Sequence, residues 1–337
     1  MKVQQENRPQ EQDSATQSKD LPGDGKALIG TQGWTGSDWR RMAYPKGLSA
    51  MGRLAWYARV FNAVEVNSTF YGIPSLATVL NWRGSVQRGF TFTVKMPRLI
   101  THEYDLTNSA PELASFLRVV SNLGESLGAV LIQLPPWLGP DRIPELSRFL
   151  SRLPVDEMRF FLEARSPALY GPALSESLER AGVGAVTTNL ITRPGEIATS
   201  RPRRAEPGCN DAGYIRWLGP RRGFGGVGQP RIAGQPDPDI EAFKRDAALW
   251  ASAIRSQVEH GASVFGFFSG DYLGSGLLPA AYLCQQLGLQ VDLPLRLAAA
   301  PLMRNALIDA GYPRVDPPLS PRQSPPSGDA AAQGILL

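Results

Sequence analysis

A chain of 337 residues, 42% hydrophobic and 20% charged, has enough apolar material for a full globular core in one large domain or two medium ones. No run approaches the roughly 18 apolar residues of a membrane span, the first 25 residues lack the apolar core of a signal peptide, and Cys209 and Cys284 form no metal-ligand or redox spacing. A cytoplasmic protein with free thiols is expected, and a formal charge of +4, with an acidic N-terminal stretch set against it, leaves a mildly basic middle that biases the chain toward anionic partners.

Residues 1–25 are polar and mixed in charge and read as a disordered tail. Residues 26–289 carry the periodic pattern of a single domain, and residues 290–337 are Pro-rich and read as a largely disordered tail with a short helical stretch over Leu302–Ala310. The domain opens with a short apolar strand, Leu28–Trp34, followed by a helix over Met51–Phe61 in which Leu54, Tyr57, Ala58 and Phe61 share a face. Ala63–Pro74 (AVEVNSTFYGIP) begins as a strand. Val64 and Val66 point to one side and Glu65 and Asn67 to the other, because strand side chains alternate. Pro74-Ser75 caps the next helix, Leu76–Trp82.

Phe90–Met96 alternates as a third strand, with Thr91, Thr93 and Lys95 on one face, and its loop carries His102. A helix over Pro111–Leu123 stops near Gly124. Ala129–Pro135 is an almost continuous apolar strand, as expected when both faces are buried, and it ends at Gln133. A helix over Ile143–Leu153 leads to Phe160–Arg165, where Phe161, Glu163 and Arg165 share a face. A helix over Leu174–Ala181 ends at Gly182. Ala185–Leu190, Tyr214–Leu218 and Val264–Ser269 complete eight strands, with helices over Asp237–His260 and Pro279–Leu287. Strand and helix alternate eight times, which predicts an α/β, TIM-type (β/α)8 barrel, with an open doubly wound sheet as the alternative. Two connections, Ile191–Gly213 and Gly219–Pro236, are longer than such folds require.

Active sites of this architecture lie at the C-terminal ends of the strands. Glu65, Asn67, Lys95, Gln133, Glu163, Arg165 and Arg216 stand there, with His102 and Asn189 just beyond. A desolvated Lys95 beside Glu65 or Glu163 suits acid, base or Schiff-base chemistry, His102 suits proton transfer, and Arg165 and Arg216 suit a bidentate hold on an anion. Asn67 and Gln133 are placed to contact a ligand. The same charges also suit a structural ion-pair plug. His260, at the end of a long helix, is where a cation is favourable for structural reasons. Arg221 and Arg222 lie in the Gly-rich loop after strand seven, where barrels often bind phosphate, and the loop after strand eight carries Asp271. Arg193, Arg201, Arg203 and Arg204 add charge to the loop after strand six. No metal or cofactor is expected.

The blocks IGTQGW, VEVNSTFYGIP, FTVKMPRLITH, LIQLPP and FLEAR resemble the YecE-like family, called domain of unknown function 72, over about residues 28 to 288. The resemblance implies a TIM-type barrel with Glu65, Asn67, Lys95, His102, Gln133, Glu163 and Arg165 as signature positions, and no activity assigned to the family as a whole. The second half departs from the family pattern. Thr188-Asn189 stands where an Asp is usual, Arg216-Trp217-Leu218-Gly219 lacks the family's His, and Ser269-Gly270 replaces an Asn pair.

The expected function is therefore the binding or transformation of a small anionic ligand, phosphorylated or carboxylated and sugar-like, by Lys/Glu acid-base chemistry. The alternatives are a nucleic-acid-binding or endonuclease-like barrel using the basic loops, and a barrel that binds or docks without turnover.

Overall fold

The computed structural model describes residues 25–35, 39, 43–104, 106–190, 192–200, 211–218, 238–270, 272 and 276–291. In chain order the elements are β1 (Ala27–Gln32), α1 (Ala50–Val60), β2 (Ala63–Val66), α2 (Leu76–Gly84), β3 (Thr91–Lys95), α3 (Ala110–Val120), β4 (Leu127–Gln133) and α4 (Ile143–Leu150). There follow β5 (Phe160–Glu163), α5 (Pro172–Ala181), β6 (Gly184–Thr188), β7 (Thr199–Ser200), β8 (Ala212–Trp217), α6 (Pro238–Glu259), β9 (Ser263–Phe268) and α7 (Leu277–Gln286). Eight strands pair in parallel in the order β6-β5-β4-β3-β2-β1-β9-β8, and β6 pairs with β8 to close the barrel. The two-residue β7 lies antiparallel on the start of β8.

The strands and helices expected between Leu28 and Leu287 are present, with ends shifted by a few residues, and the local signals act as the sequence implies; the helical stretch expected over Leu302–Ala310 and nearly all of the two expected tails lie outside the described residues. The Ser75 hydroxyl accepts the Thr78 N–H to start α2, and α5 ends at Gly182 in the left-handed region (φ 70°) that glycine enters without strain. Two features escape the periodicity. The backbone after Val120 tightens into a 3-10 run, Ser121–Ser126, instead of continuing α3, and a π-helical turn forms over Leu99–Glu103 at the mouth. The connection after β6 shows no α-helix among the described residues. Its Arg193-Pro194-Gly195 start offers no amphipathic run, and Ile197 packs against the outer core from this connection.

Two apolar layers result. Inside the barrel, Leu28, Ala63, Leu131, Phe161, Tyr214, Phe265 and Phe267 pack against one another. Outside, Val64, Val66, Phe92, Val94, Val130 and Ile132 face the helices. The alternation predicted for β2 and β3 is thus the division between lumen and helix layer. No helix among the described residues is long and apolar enough to cross a membrane.

The first two strands are tied by a side chain from α1. The Tyr57 hydroxyl accepts the Thr31 N–H at 2.9 Å and donates to Ala63 O at 3.1 Å. A Cβ at residue 30 would fall 1.9 Å from Ala63 O and 2.7 Å from that hydroxyl, so the position requires glycine. Gly30→Ala should therefore cost at least about 2 kcal/mol through overpacking, seen in urea as a lower midpoint at unchanged m. A variant as stable as the parent would contradict this account of the β1–β2 junction.

Candidate functional site

The rim residues come from strands that are far apart around the barrel, and they meet over its axis. Arg216, at the end of β8, sits between two carboxylates. Its Nε and Nη2 donate to Glu65 Oε2 and Oε1 at 3.0 and 2.8 Å, reaching β2 across the lumen, and its Nη1 donates to Glu163 Oε2 on β5. Tyr214, two residues earlier on the same face, donates to Glu65 Oε2 at 2.8 Å and meets the Thr93 hydroxyl at 2.9 Å. Beneath this layer Tyr214, Phe161, Phe265 and Phe267 form an aromatic floor, so the charges sit in a medium that strengthens their mutual attraction.

Burial by itself would raise the Glu163 carboxyl, but the Arg216 and Arg165 guanidiniums and the hydrogen bonds from Arg216 and Gln133 hold it below the usual carboxylate range. Arg216 loses solvation by burial, yet Glu163 and Glu65 hold its proton more firmly still. Tyr214 is pushed well up, first by burial and then by Glu65, so it remains a donor.

Arg165 pairs with Glu163 from the edge of the site, its side chain 26% exposed. Gln133 joins the pieces: its Nε2 donates to Glu163 Oε1 at 3.2 Å while its Oε1 accepts from Lys95 Nζ at 2.6 Å. Lys95 is 8% exposed and lies 3.6 Å from the centroid of the Phe70 ring, a cation–π contact. Among the described residues it forms no ion pair, because the two carboxylates are taken by the two arginines. Burial, followed by the Arg216 charge, pushes its amine down to about 8 against the opposing pull of Glu65 and Glu163.

Beyond Phe70 the mouth is aromatic. His102 meets the Phe70 edge (5.1 Å between centroids) and Trp137 (5.7 Å), and its Nδ1 hydrogen-bonds the Thr101 hydroxyl at 2.7 Å. Burial, and then Lys95 and Arg98, push the imidazole pKa down, favouring the neutral ring. Trp137 is exposed. Two polar atoms at the rim, Asn67 Oδ1 and Gln32 Nε2, are buried without a hydrogen-bond partner.

Glu65, Lys95, Gln133, Glu163, Arg165 and Arg216 are thus brought together as the sequence implies, with His102 and Asn67 at their edge. Two roles change. Arg216 is committed to Glu65 and Glu163, so its geometry is that of a clamp on the carboxylates and not of an open anion fork. Asn189 is spent on structure, its Oδ1 accepting the Leu218 N–H at 2.7 Å, and His260 bonds to Ser256 O on the surface. Arg201, Arg203, Arg204, Arg221, Arg222, Asp271 and Cys209 lie outside the described residues. Among the described residues no three His, Cys, Asp or Glu form a metal-binding group. The sequence reading left out Gln32, Phe70 and Trp137 as site residues. Phe70 and Gln32 lie inside the YecE-like blocks, but aromatic residues in loops carry no periodic signal.

A closed parallel barrel with its charged side chains gathered at the strand C-termini defines a TIM-type barrel protein with its candidate site at the mouth. The chain belongs to the family described as Protein of unknown function DUF72, which matches residues 28–304. It is 33% identical over 179 residues to UPF0759 protein YecE of Escherichia coli (strain K12), covering 52% of this chain and 61% of that protein, and matches the Escherichia coli O157:H7 counterpart equally. The match therefore spans less than two thirds of these relatives. In fold it is similar to a DUF72 family protein of Thermotoga maritima MSB8 (TM-score 0.59, 22% identity, 78% of this chain and 99% of that one). A DUF72 family protein of Enterococcus faecalis V583 is similar too (TM-score 0.56, 18% identity, 79% and 97%).

Two measurements check this electrostatic account. Arg216→Met leaves two buried carboxylates facing each other and should cost about 3–5 kcal/mol in urea unfolding; a loss under about 1 kcal/mol would show that the clamp does not hold the site. Lys95 binds its proton less tightly when folded (about 8) than when unfolded (10.5), so below pH 8 the folded state bears the whole cost, roughly 3 kcal/mol. Between those values the unfolded chain holds more protons and stability rises with pH. Lys95→Met should be the more stable protein at pH 7, with the difference shrinking toward pH 10.5, and parallel stability–pH curves would refute the shift.

Proposed function

We propose that this protein binds a small anionic, sugar-like molecule, phosphorylated or carboxylated, at the C-terminal mouth of its barrel and transforms it by proton transfer through Lys95. The observation that carries this reading is the charge ledger of the site. Glu65, Glu163, Arg165 and Arg216 cancel in pairs, which leaves Lys95 as the buried cation without a carboxylate among the described residues. Protonated, its ammonium attracts an anion. Deprotonated, it is a base, and a pKa of about 8 keeps both forms available near neutrality. Glu163 orients Lys95 through Gln133 and tunes it by charge, while Glu65 fixes Arg216. His102, as a neutral imidazole next to Phe70, is a second proton carrier, and Asn67 and Arg165 are ligand contacts from the edge. A cytoplasmic location is part of the same reading.

A second reading has its own support. The Glu65–Arg216–Glu163 network is closed on itself, as in a structural plug, and suits a barrel that binds without turnover.

The test is a binding series with phosphorylated and carboxylated sugars, measured by calorimetry from pH 6 to pH 10. Affinity should fall at least tenfold as pH rises through about 8 and Lys95 loses its charge, and Lys95→Met should be weak and flat across the range. Undiminished binding by Lys95→Met would overturn the reading. A bound sugar that NMR finds unchanged after hours with the parent protein would decide for the barrel without turnover.

A further inference from the structure

We infer that Lys95 is a carbonyl-capturing amine, and that the ligand of the mouth is an aldehyde or ketone bearing hydroxyl groups, held as an imine on Nζ. The inference rests on the proposed anionic site and goes beyond it in naming the reactive group. An imine-forming lysine needs an amine that is not neutralised by a carboxylate, walls that keep water from hydrolysing the adduct, and polar groups for the rest of the substrate. Lys95 Nζ has one hydrogen-bond acceptor, the neutral amide oxygen of Gln133, and its other side lies over the face of Phe70. Phe70, His102 and the exposed Trp137 continue as an aromatic wall from the amine to solvent, a surface on which the C–H face of a small polyol can rest. At the same rim, Gln32 Nε2 is a buried donor and Asn67 Oδ1 a buried acceptor, each without a hydrogen-bond partner.

Residue choice points the same way. The chain has six lysines (Lys2, Lys19, Lys26, Lys46, Lys95 and Lys244) against 29 arginines. A site needing only a fixed positive charge is served by arginine, which cannot deprotonate; a nucleophilic amine demands lysine. The lowered proton affinity of Lys95 supplies the neutral amine.

The step balances without a redox partner. The nitrogen lone pair attacks the carbonyl carbon, forming C–N as the C–O π bond opens. One proton passes from nitrogen to that oxygen, a second arrives from solvent, and water leaves, giving a protonated imine.

The test treats the full chain at pH 7 with glyceraldehyde 3-phosphate and cyanoborohydride, which reduces an imine to a stable secondary amine, and maps the adduct over the six lysines by peptide mass. Separately, calorimetry measures binding of glycerol 3-phosphate, which has the anion and hydroxyl but no carbonyl. Labelling of Lys95 at least tenfold above the mean of the other five, and its loss in Lys95→Arg with an unchanged circular dichroism spectrum, is the expected result. Saturable glycerol 3-phosphate binding with labelling no higher at Lys95 than elsewhere overturns the imine and leaves the anionic site standing. Neither binding nor selective labelling overturns both. Selective labelling without glycerol 3-phosphate binding upholds the carbonyl chemistry and removes the phosphate preference.

Discussion

The guanidinium of Arg216, suspended between Glu65 and Glu163, is the constraint on which the rest of the site depends. It joins β2, β5 and β8 across the lumen with three hydrogen bonds, in a plane that a bidentate carboxylate matches and an ammonium would not. Because the carboxylates would otherwise repel in a low-dielectric interior, their distance from one another is set by that one side chain. The aromatic floor below, with Tyr214 donating upward to Glu65, keeps water from competing for it.

The state of Lys95 follows from this arrangement. With both acids satisfied elsewhere, its amine is left with an amide oxygen and a ring face, and desolvation lowers its proton affinity. A chain of polar contacts runs from Lys95 through Gln133 to Glu163, so the carboxylate influences the amine without pairing with it. Any change in the Arg216 clamp alters how much negative charge is free to stabilise the ammonium, and the ion network and the reactive amine are therefore one electrostatic unit. Next to this unit the end of β6 is given to structure, through the Asn189 bond that links it to Leu218.

The fold was largely legible from the chain. Alternation in AVEV and TFTVK told which side chains of β2 and β3 enter the lumen, because strand period is a local property of the backbone, and the motif order placed those lumen residues at strand C-termini. Less was legible where no period exists. The π-helical turn at Leu99–Glu103 and the 3-10 continuation after Val120 are local responses to packing.

By itself the amino-acid sequence determined the strand and helix order, the barrel class, the family and the set of polar side chains delivered to the mouth, since each rests on short-range periodicity or on residue identity. Only the tertiary structure decided which charge pairs with which. Adjacency in the chain placed Glu65 beside Lys95 on neighbouring strands, yet Glu65 reaches across the barrel to Arg216, which is 151 positions away. Partner choice among buried charges is set by distance and direction after the barrel closes, and by the geometric match of guanidinium to carboxylate. For the same reason the aromatic wall of Phe70, His102 and Trp137 exists only once three separate loops converge on the rim.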